Sequence, residues 1–115
     1  MTTRRHCLAL DLKDDPALIR DYKKHHERIW PEIRDHLTTA GVVDMQIYAL
    51  GTRLFMIMDV TDAFTFDAMD ALAAANPKVQ EWEDLMWRYQ APTPWTPQGQ
   101  KWVKMEAIFD LASQR

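Results

Sequence analysis

Two polar side chains on the apolar stripe of a predicted helix are the leading candidates for chemistry in this sequence. The stripe recurs at spacings of three and four residues, as one face of a helix does, and consists of Ile19, Tyr22, His26, Ile29, Ile33 and Leu37. Tyr22 and His26 lie one turn apart, so their side chains are neighbours. A buried polar group needs a hydrogen-bond partner or a function. The pattern alone favours an ordinary core histidine and leaves acid–base catalysis as the alternative.

Acid–base catalysis suits a histidine because its ring gains or loses a proton near neutral pH. Trp30 follows His26 by one helical turn and would extend the pair into a Tyr–His–Trp surface. Aromatic rings of this kind serve equally in a core, at an interface or in a sugar site. The cluster therefore predicts a site without naming its ligand.

A second helical region contributes further candidates. Its inward stripe consists of Val79, Trp82, Met86 and Tyr89. Trp82 is expected in the core, where its ring could also form the floor of a pocket. Glu83 lies at the edge of the stripe and is expected to be a solvated carboxylate unless it turns inward. Residues 91–100, rich in proline, form a predicted loop that is either a lid over a pocket or a plain connection.

Metal and cofactor sites find little support in the sequence. His25 lies about 100° around the helix from His26, so the two cannot bind one metal ion. His6 and His36 have no metal-ligand spacing relative to them. The sequence has no zinc-protease, Cys-x-x-Cys, Walker or dinucleotide-binding motif, and it has three glycines in all. We therefore expect no metal ion and no bound nucleotide.

Composition indicates a single globular domain covering residues 1–115. Hydrophobic residues make up 47% of the chain and charged residues 27%, and the net charge is −3. This charge gives no electrostatic reason to bind nucleic acid or an anionic membrane, and no apolar run approaches a membrane span. The first residues lack a hydrophobic signal segment, and the single cysteine, Cys7, cannot form an internal disulfide, so we expect a cytoplasmic protein.

The predicted elements alternate in the order strand, helix, strand, strand, helix, strand. The predicted strands cover residues 5–12, 42–50, 53–61 and 102–111, and the predicted helical regions cover residues 17–41 and 64–89. Asp15 followed by Pro16 is typical of a helix start, and Gly41 of a helix end. Pro31 and Pro77 divide the two helical regions, because proline disfavours the helical conformation in the residue before it.

This order is that of the ferredoxin-like βαββαβ fold, an α+β architecture with a four-stranded antiparallel sheet and two helices on one face. Strand 53–61 is apolar at nearly every position, so both its faces are predicted to be buried. The helices cover only one face of the sheet. A large bare apolar face usually has a partner, and the simplest partner is a second copy in a two-fold homodimer.

The cluster around the first helix resembles the signature of the L-rhamnose mutarotase family. The matching residues are Tyr22, His26, Trp30, Pro31 and Glu32, and the similarity continues through Ile47, Tyr48, Leu54, Phe55, Met56, Gln80, Glu81 and Trp82. The resemblance covers essentially the whole chain. It implies a cofactor-free enzyme that interconverts the α and β anomers of a deoxy sugar. For the homodimer expected from the bare sheet face, we predict a dimeric α/β barrel.

The same resemblance implies roles for individual residues. His26 takes the position of the proton donor, and Tyr22 that of a tyrosine that contacts the sugar; Trp30 and Trp82 would stack on the sugar ring. Two positions depart from the family pattern. Met45 stands where the family has a substrate-contacting tyrosine, and Glu83 where it has the second residue of a Trp-Trp pair. These changes, both at predicted substrate-binding positions, point towards L-fucose as well as L-rhamnose, since the chain resembles the L-fucose branch.

Two other classes of function are compatible with the predicted fold, because fold does not determine function. A non-catalytic binding module would hold a small ligand without accelerating any reaction. A small monooxygenase would oxidise an aromatic or haem-like substrate in an apolar pocket. Following the anomers of a freshly dissolved sugar separates these alternatives from a mutarotase.

Overall fold

The computed structural model describes residues 2–114 and has a five-stranded antiparallel sheet covered on one face by four short helices. The strands are β1 (Thr3–Leu12), β2 (Val42–Leu50), β3 (Arg53–Thr61), β4 (Gln90–Ala91) and β5 (Val103–Lys104). The helices are α1 (Pro16–His25), α2 (Pro31–Ala40), α3 (Phe66–Ala74) and α4 (Pro77–Trp87), followed by a 3₁₀ turn at Leu111–Ser113. The order across the sheet is β2-β3-β1-β4, and β5 also pairs with β1. The predicted ferredoxin-like arrangement is confirmed.

The helix boundaries follow the local chemistry of the sequence. The Asp15 carboxylate accepts hydrogen bonds from the first backbone N–H groups of α1, and the Asn76 side chain does the same for α4. Pro31 begins α2, so the first helical region is broken after α1 as predicted. Gly41 ends α2 with φ of +103°. A Cβ atom there would lie 2.9 Å from the Thr61 hydroxyl oxygen, so the site needs glycine for space as well as conformation.

The core lies between the helices and one face of the sheet. Side chains alternate along a strand, and the even-numbered residues of β1 and β3 point towards the helices. Leu8 pairs with Met56 and Leu10 with Leu54 in the antiparallel register, and all four are buried. The helical side of the core includes Tyr22, Ile33, Val79, Trp82, Met86 and Tyr89. Burial of these apolar side chains fixes the helices on the sheet.

The other face of the sheet is open in the single chain. Phe55 and Ile57 of β3 are half-buried there, so the prediction that both faces of this strand are buried is wrong for the isolated chain. Leu50, on β2, is 86% exposed. The helices pack on the opposite face; on this face the Trp95 ring covers the Arg53 guanidinium at one end of β3, 5.2 Å from the ring centroid, and Phe55 and Ile57 remain only half-buried. The apolar side chains on this face remain in contact with water unless a partner covers them.

The final strand is much shorter than predicted. A strand over residues 102–111 was expected, but β5 covers only Val103–Lys104, and its last ladder bond runs from the Met105 N–H to the Cys7 carbonyl. Two short strands, β4 and β5, pair with the same edge of β1. Residues 92–102, which connect them, leave the sheet. Prolines at 92, 94 and 97 account for the departure, because proline has no N–H to donate to the ladder.

Candidate active site

A cavity of about 710 Å³ opens between the helices and the sheet. It lies within the range of roughly 300–1,000 Å³ typical of small-molecule sites. Of the residues singled out from sequence, its walls contain Tyr22, His26, Met45, Trp82 and Glu83. Residues from α1, β2 and α4 therefore converge on one space, as the predicted site requires.

His26 lies immediately after α1, where it caps the helix with φ of −90° and ψ of −5°. Its Nδ1 atom is 2.8 Å from the Tyr22 carbonyl oxygen. Because a carbonyl oxygen only accepts hydrogen bonds, Nδ1 carries the proton of the neutral ring, and Nε2 has a free lone pair. Burial lowers the pKa of His26 below its usual value; the bond to the Tyr22 carbonyl acts in the opposite direction, and the nearby His25 lowers the pKa further. The ring is thus a neutral base at neutral pH.

Tyr22 is 3% exposed and lies beside His26, with 4.4 Å between the two ring centroids. Its hydroxyl oxygen accepts a hydrogen bond from the Gln90 side-chain N–H at 3.3 Å. Burial raises the pKa of the Tyr22 hydroxyl, partly offset by that hydrogen bond, while the Glu83 charge raises the pKa further. The hydroxyl therefore keeps its proton and has it available to donate towards the cavity.

Trp82 and Trp30 form an aromatic corner behind His26. The Trp82 ring lies 5.6 Å from the His26 ring between centroids, and the Trp30 ring lies 5.1 Å from Trp82 in an edge-on arrangement. Trp82 lines the cavity, whereas Trp30 lies behind it and also packs beside the Lys78 ammonium. Trp30 therefore supports Trp82 and is not among the residues that line the cavity.

Glu83 turns towards the cavity and is not a free solvated carboxylate. It forms an ion pair with Lys101, with 2.7 Å between the carboxylate oxygen and Nζ, and the ammonium also donates to the Glu83 backbone carbonyl at 3.0 Å. Lys101 belongs to the irregular segment between β4 and β5, and residues 99–102 line the cavity with it. The last residues of the predicted loop, Gly99 and Gln100, thus line the site, and the ion pair of the next residue, Lys101, attaches this segment to α4.

The apolar part of the cavity wall is rich in methionine. It includes Met45, Ile47, Met56, Met58, Met69 and Met86. Methionine side chains are flexible and polarisable, so they adapt to ligands of irregular shape. The site therefore combines polar side chains with a deformable apolar lining.

His25 does not line the cavity, in agreement with its predicted position around the helix. Its Nε2 atom lies 3.2 Å from the Tyr89 hydroxyl oxygen, so the side chain packs beside α4. His6 packs against Phe64 and Phe66 at another part of the core. Within residues 2–114 there is no cluster of three or more His, Cys, Asp or Glu side chains able to hold a metal ion.

Among the polar residues of the cavity lining, His36, Gln90 and Lys101 were not predicted from sequence as site residues. His36 follows Ile33 of the apolar stripe by three residues, a spacing that could have identified it. Burial lowers the pKa of His36, and the Glu83 charge opposes this effect. Gln90 and Lys101 carry no local signal. The pairing of β4 with β1 places Gln90, and the irregular segment after β4 brings Lys101 to Glu83.

A sequence model of the L-rhamnose mutarotase family matches residues 5–111 of the chain. The chain belongs to the L-rhamnose mutarotase family. Members named for two different sugars are similar to it. An L-fucose mutarotase from Xanthomonas campestris is 40% identical over 114 residues, covering 97% of this chain and 91% of the relative. An L-rhamnose mutarotase from Phocaeicola vulgatus is 32% identical over 84 residues, covering 72% of this chain and 76% of the relative.

Solved structures agree with this assignment at the level of the fold. The crystal structure of an L-rhamnose mutarotase from Formosa agariphila superposes with a TM-score of 0.68 at 21% identity, covering 94% of this chain and 98% of that one. The family resemblance recognised from the sequence is confirmed by the family model and by the relative that is 40% identical. Among residues 2–114, no helix is both long and apolar enough to cross a membrane.

Proposed function

We propose that this member of the L-rhamnose mutarotase family is a cytoplasmic enzyme that interconverts the α and β anomers of a 6-deoxy hexose. The observation that carries the proposal is the pairing of a neutral histidine with a protonated tyrosine on the wall of a sugar-sized cavity. His26 presents Nε2 as a base, and Tyr22 presents a hydroxyl proton. Similar proteins named for L-fucose and L-rhamnose support the choice of substrate class.

Anomer exchange needs one proton to move between two oxygens bonded to the same carbon. His26 Nε2 accepts the proton of the anomeric hydroxyl and delivers it to the ring oxygen as the bond between that oxygen and the anomeric carbon breaks. The anomeric carbon becomes an aldehyde, which rotates about its bond to the next carbon. Closure on its other face reverses the proton transfer and gives the second anomer. General acid–base catalysis of this kind contributes typically about 10²–10⁴-fold.

Tyr22 and the methionine wall position the sugar for this transfer. The Tyr22 hydroxyl donates a hydrogen bond to a sugar oxygen and holds it beside His26. The C6 methyl group that distinguishes a 6-deoxy hexose packs against Met45 and its apolar neighbours, where a hydroxymethyl group would lose its hydrogen bonds to water. The Trp82 ring packs on the apolar side of the sugar, and the Glu83 carboxylate accepts a hydrogen bond from a sugar hydroxyl at the rim.

We expect the protein to accelerate anomer exchange of L-fucose or L-rhamnose, with little effect on D-glucose. The expected difference is about tenfold or more in exchange rate, because the polar C6 hydroxyl of D-glucose would be buried without a partner. NMR saturation transfer between the two anomeric protons measures each exchange rate at equilibrium. Equal acceleration of D-glucose would contradict the deoxy-sugar assignment.

We also propose a homodimer formed through the open face of the sheet, with the two sheets facing each other as a dimeric α/β barrel. Half-buried Phe55 and Ile57 lie at the centre of that face, between ion pairs of Arg5 with Asp59 and Arg53 with Asp11. Beyond β5, the chain also exposes the apolar side chains of Ile108 and Phe109. A second copy is the partner that buries both surfaces at once.

Light scattering at micromolar concentration should therefore give twice the mass of one chain. Ile57→Lys places a charge at the centre of the open face and should shift the protein to monomers, while Lys104→Glu, an exposed charge change on the edge strand, should leave the dimer intact. Circular dichroism checks that both variants remain folded. A wild-type protein of monomeric mass under these conditions would contradict the proposal.

A further inference from the structure

Gln90 is the most buried polar side chain on the cavity wall that the mechanism above does not use. It is 5% exposed and lies on the short strand β4, where its backbone pairs with Leu12 of β1. The position follows directly from this pairing, because the alternation along β4 turns Gln90 towards the helices. The side chain is therefore held beside α1 by the sheet.

The carboxamide of Gln90 is only half satisfied. Its N–H donates to the Tyr22 hydroxyl oxygen at 3.3 Å. Its carbonyl oxygen Oε1 is buried and has no hydrogen-bond partner among the residues that the structure describes. A buried acceptor without a partner is costly, so native proteins rarely retain one without a use for it.

Two consequences follow for the site. The incoming N–H bond occupies an acceptor position on the Tyr22 oxygen, which leaves the tyrosine proton free to point into the cavity. Gln90 also lines the cavity, so a hydroxyl group that enters beside Tyr22 is the natural partner for Oε1. Gln90 thus combines a donor that orients Tyr22 with an acceptor that has no other partner.

We propose that Gln90 is a positioning and specificity-determining residue, which orients the Tyr22 hydroxyl as a donor and accepts a hydrogen bond from a ring hydroxyl of the bound sugar. This inference rests on the proposed sugar-binding function. It assigns recognition to a residue that neither the stripe on α1 nor the family signature contains. Sugars that lack the recognised hydroxyl would leave Oε1 unpaired and bind more weakly.

The test compares Gln90→Leu with Gln80→Leu, a matched change at an exposed glutamine on α4. L-Fucose and L-rhamnose are the probes, and binding is measured by NMR titration, exchange by saturation transfer and stability by thermal melting. Gln90→Leu should raise the Kd and KM by about 5- to 100-fold, as expected when a buried hydrogen bond loses one partner. Gln80→Leu should change neither. Gln90→Met provides a second shape-conserving variant if the leucine variant does not fold.

A double variant separates positioning from a purely structural role. On a Tyr22→Phe background, Gln90→Leu should cause no additional loss of kcat, because the hydroxyl that it orients is absent, while the rise in KM remains. Unchanged Kd and KM in folded Gln90→Leu or Gln90→Met would overturn the inference. A wild-type protein that binds the sugar without exchanging its anomers would refute the proposed catalysis, and the binding comparison would still decide the role of Gln90. A wild-type protein that binds neither sugar would overturn both.

Discussion

Replacing His26 with alanine should reduce the rate of anomer exchange by roughly 10²-fold or more, since the variant loses its principal acid–base group. The expected loss appears in kcat, because in the proposed mechanism Nε2 moves the proton between the two sugar oxygens. His26→Asn is the sharper variant. Its amide can keep a hydrogen bond to the Tyr22 carbonyl, which Nδ1 makes now at 2.8 Å, but it has no titrating nitrogen. Saturation-transfer NMR gives the rates, and thermal melting of the same samples shows whether the variants are folded.

His25→Ala is the matched control, because this neighbouring histidine lies outside the cavity lining. It should lose some stability through its contact with the Tyr89 hydroxyl and retain most of its exchange activity per folded molecule. If His26 serves only as a satisfied core residue, the opposite pattern results: lower stability with unchanged activity. Folded His26→Ala protein exchanging anomers at the wild-type rate would refute the mechanism.

The lowered pKa of His26 also sets the expected pH dependence. The neutral ring is the active base, so exchange should remain constant as the pH falls to the ordinary histidine value of about 6.5 and decline only below it, as the ring gains a proton. The same shift in the pKa of His26 makes the folded protein less stable as the pH falls. The unfolded chain binds this proton more readily than the folded chain, so the contribution of neutral His26 is lost as the pH falls below the unfolded-state value.

Trp82→Ala should have the largest effect on stability, a loss of about 3–5 kcal/mol in the free energy of unfolding. Trp82 is 7% exposed and packs with Val79 and Met86 in the main core, besides contacting the rings of Trp30 and His26. Alanine would leave a void among all of them. For a domain of this size, a loss of about 1 kcal/mol in the free energy of unfolding lowers the Tm by a few degrees. The Tm should therefore fall by roughly 10–20 °C.

Trp95→Ala is the matched control for this prediction. The same side chain is removed, but Trp95 is 72% exposed and only covers the Arg53 guanidinium, at 5.2 Å from the ring centroid. The change should cost no more than about 1 kcal/mol, the value of an exposed cation–π contact. Calorimetry of both variants checks the difference. Equal midpoints for the two would mean that Trp82 is not part of the core.

The local features of the fold were predictable because they depend on near neighbours in the chain. Asp15, Pro31 and Asn76 mark helix boundaries through capping and the absence of a proline N–H, and these effects act within a few residues. The stripe on α1 placed Tyr22 and His26 together for the same reason. Much of the sheet, including its order, was predictable from the alternation of strands and helices.

The remainder depends on contacts between distant parts of the chain. Gln90 reaches Tyr22 across 68 positions of sequence, and its place is set by two backbone pairs between β4 and β1. Lys101 reaches Glu83 only because the prolines after Ala91 divert the chain over α4. Local patterns encode neither. The prediction of a strand over residues 102–111 was wrong beyond Lys104. Apolar residues such as Ile108 indicate burial in the sequence, but a single chain has no surface for them to pack against.

The most direct test of the account is the approach to anomeric equilibrium of freshly dissolved α-L-fucose. Polarimetry follows the change in optical rotation with and without the protein, at a pH where the spontaneous reaction is slow. A mutarotase raises the rate constant of equilibration in proportion to enzyme concentration and leaves the final rotation unchanged. We expect this result for the wild-type protein. We expect the acceleration to be lost in His26→Asn. Identical time courses with and without folded wild-type protein, for both L-fucose and L-rhamnose, would contradict it.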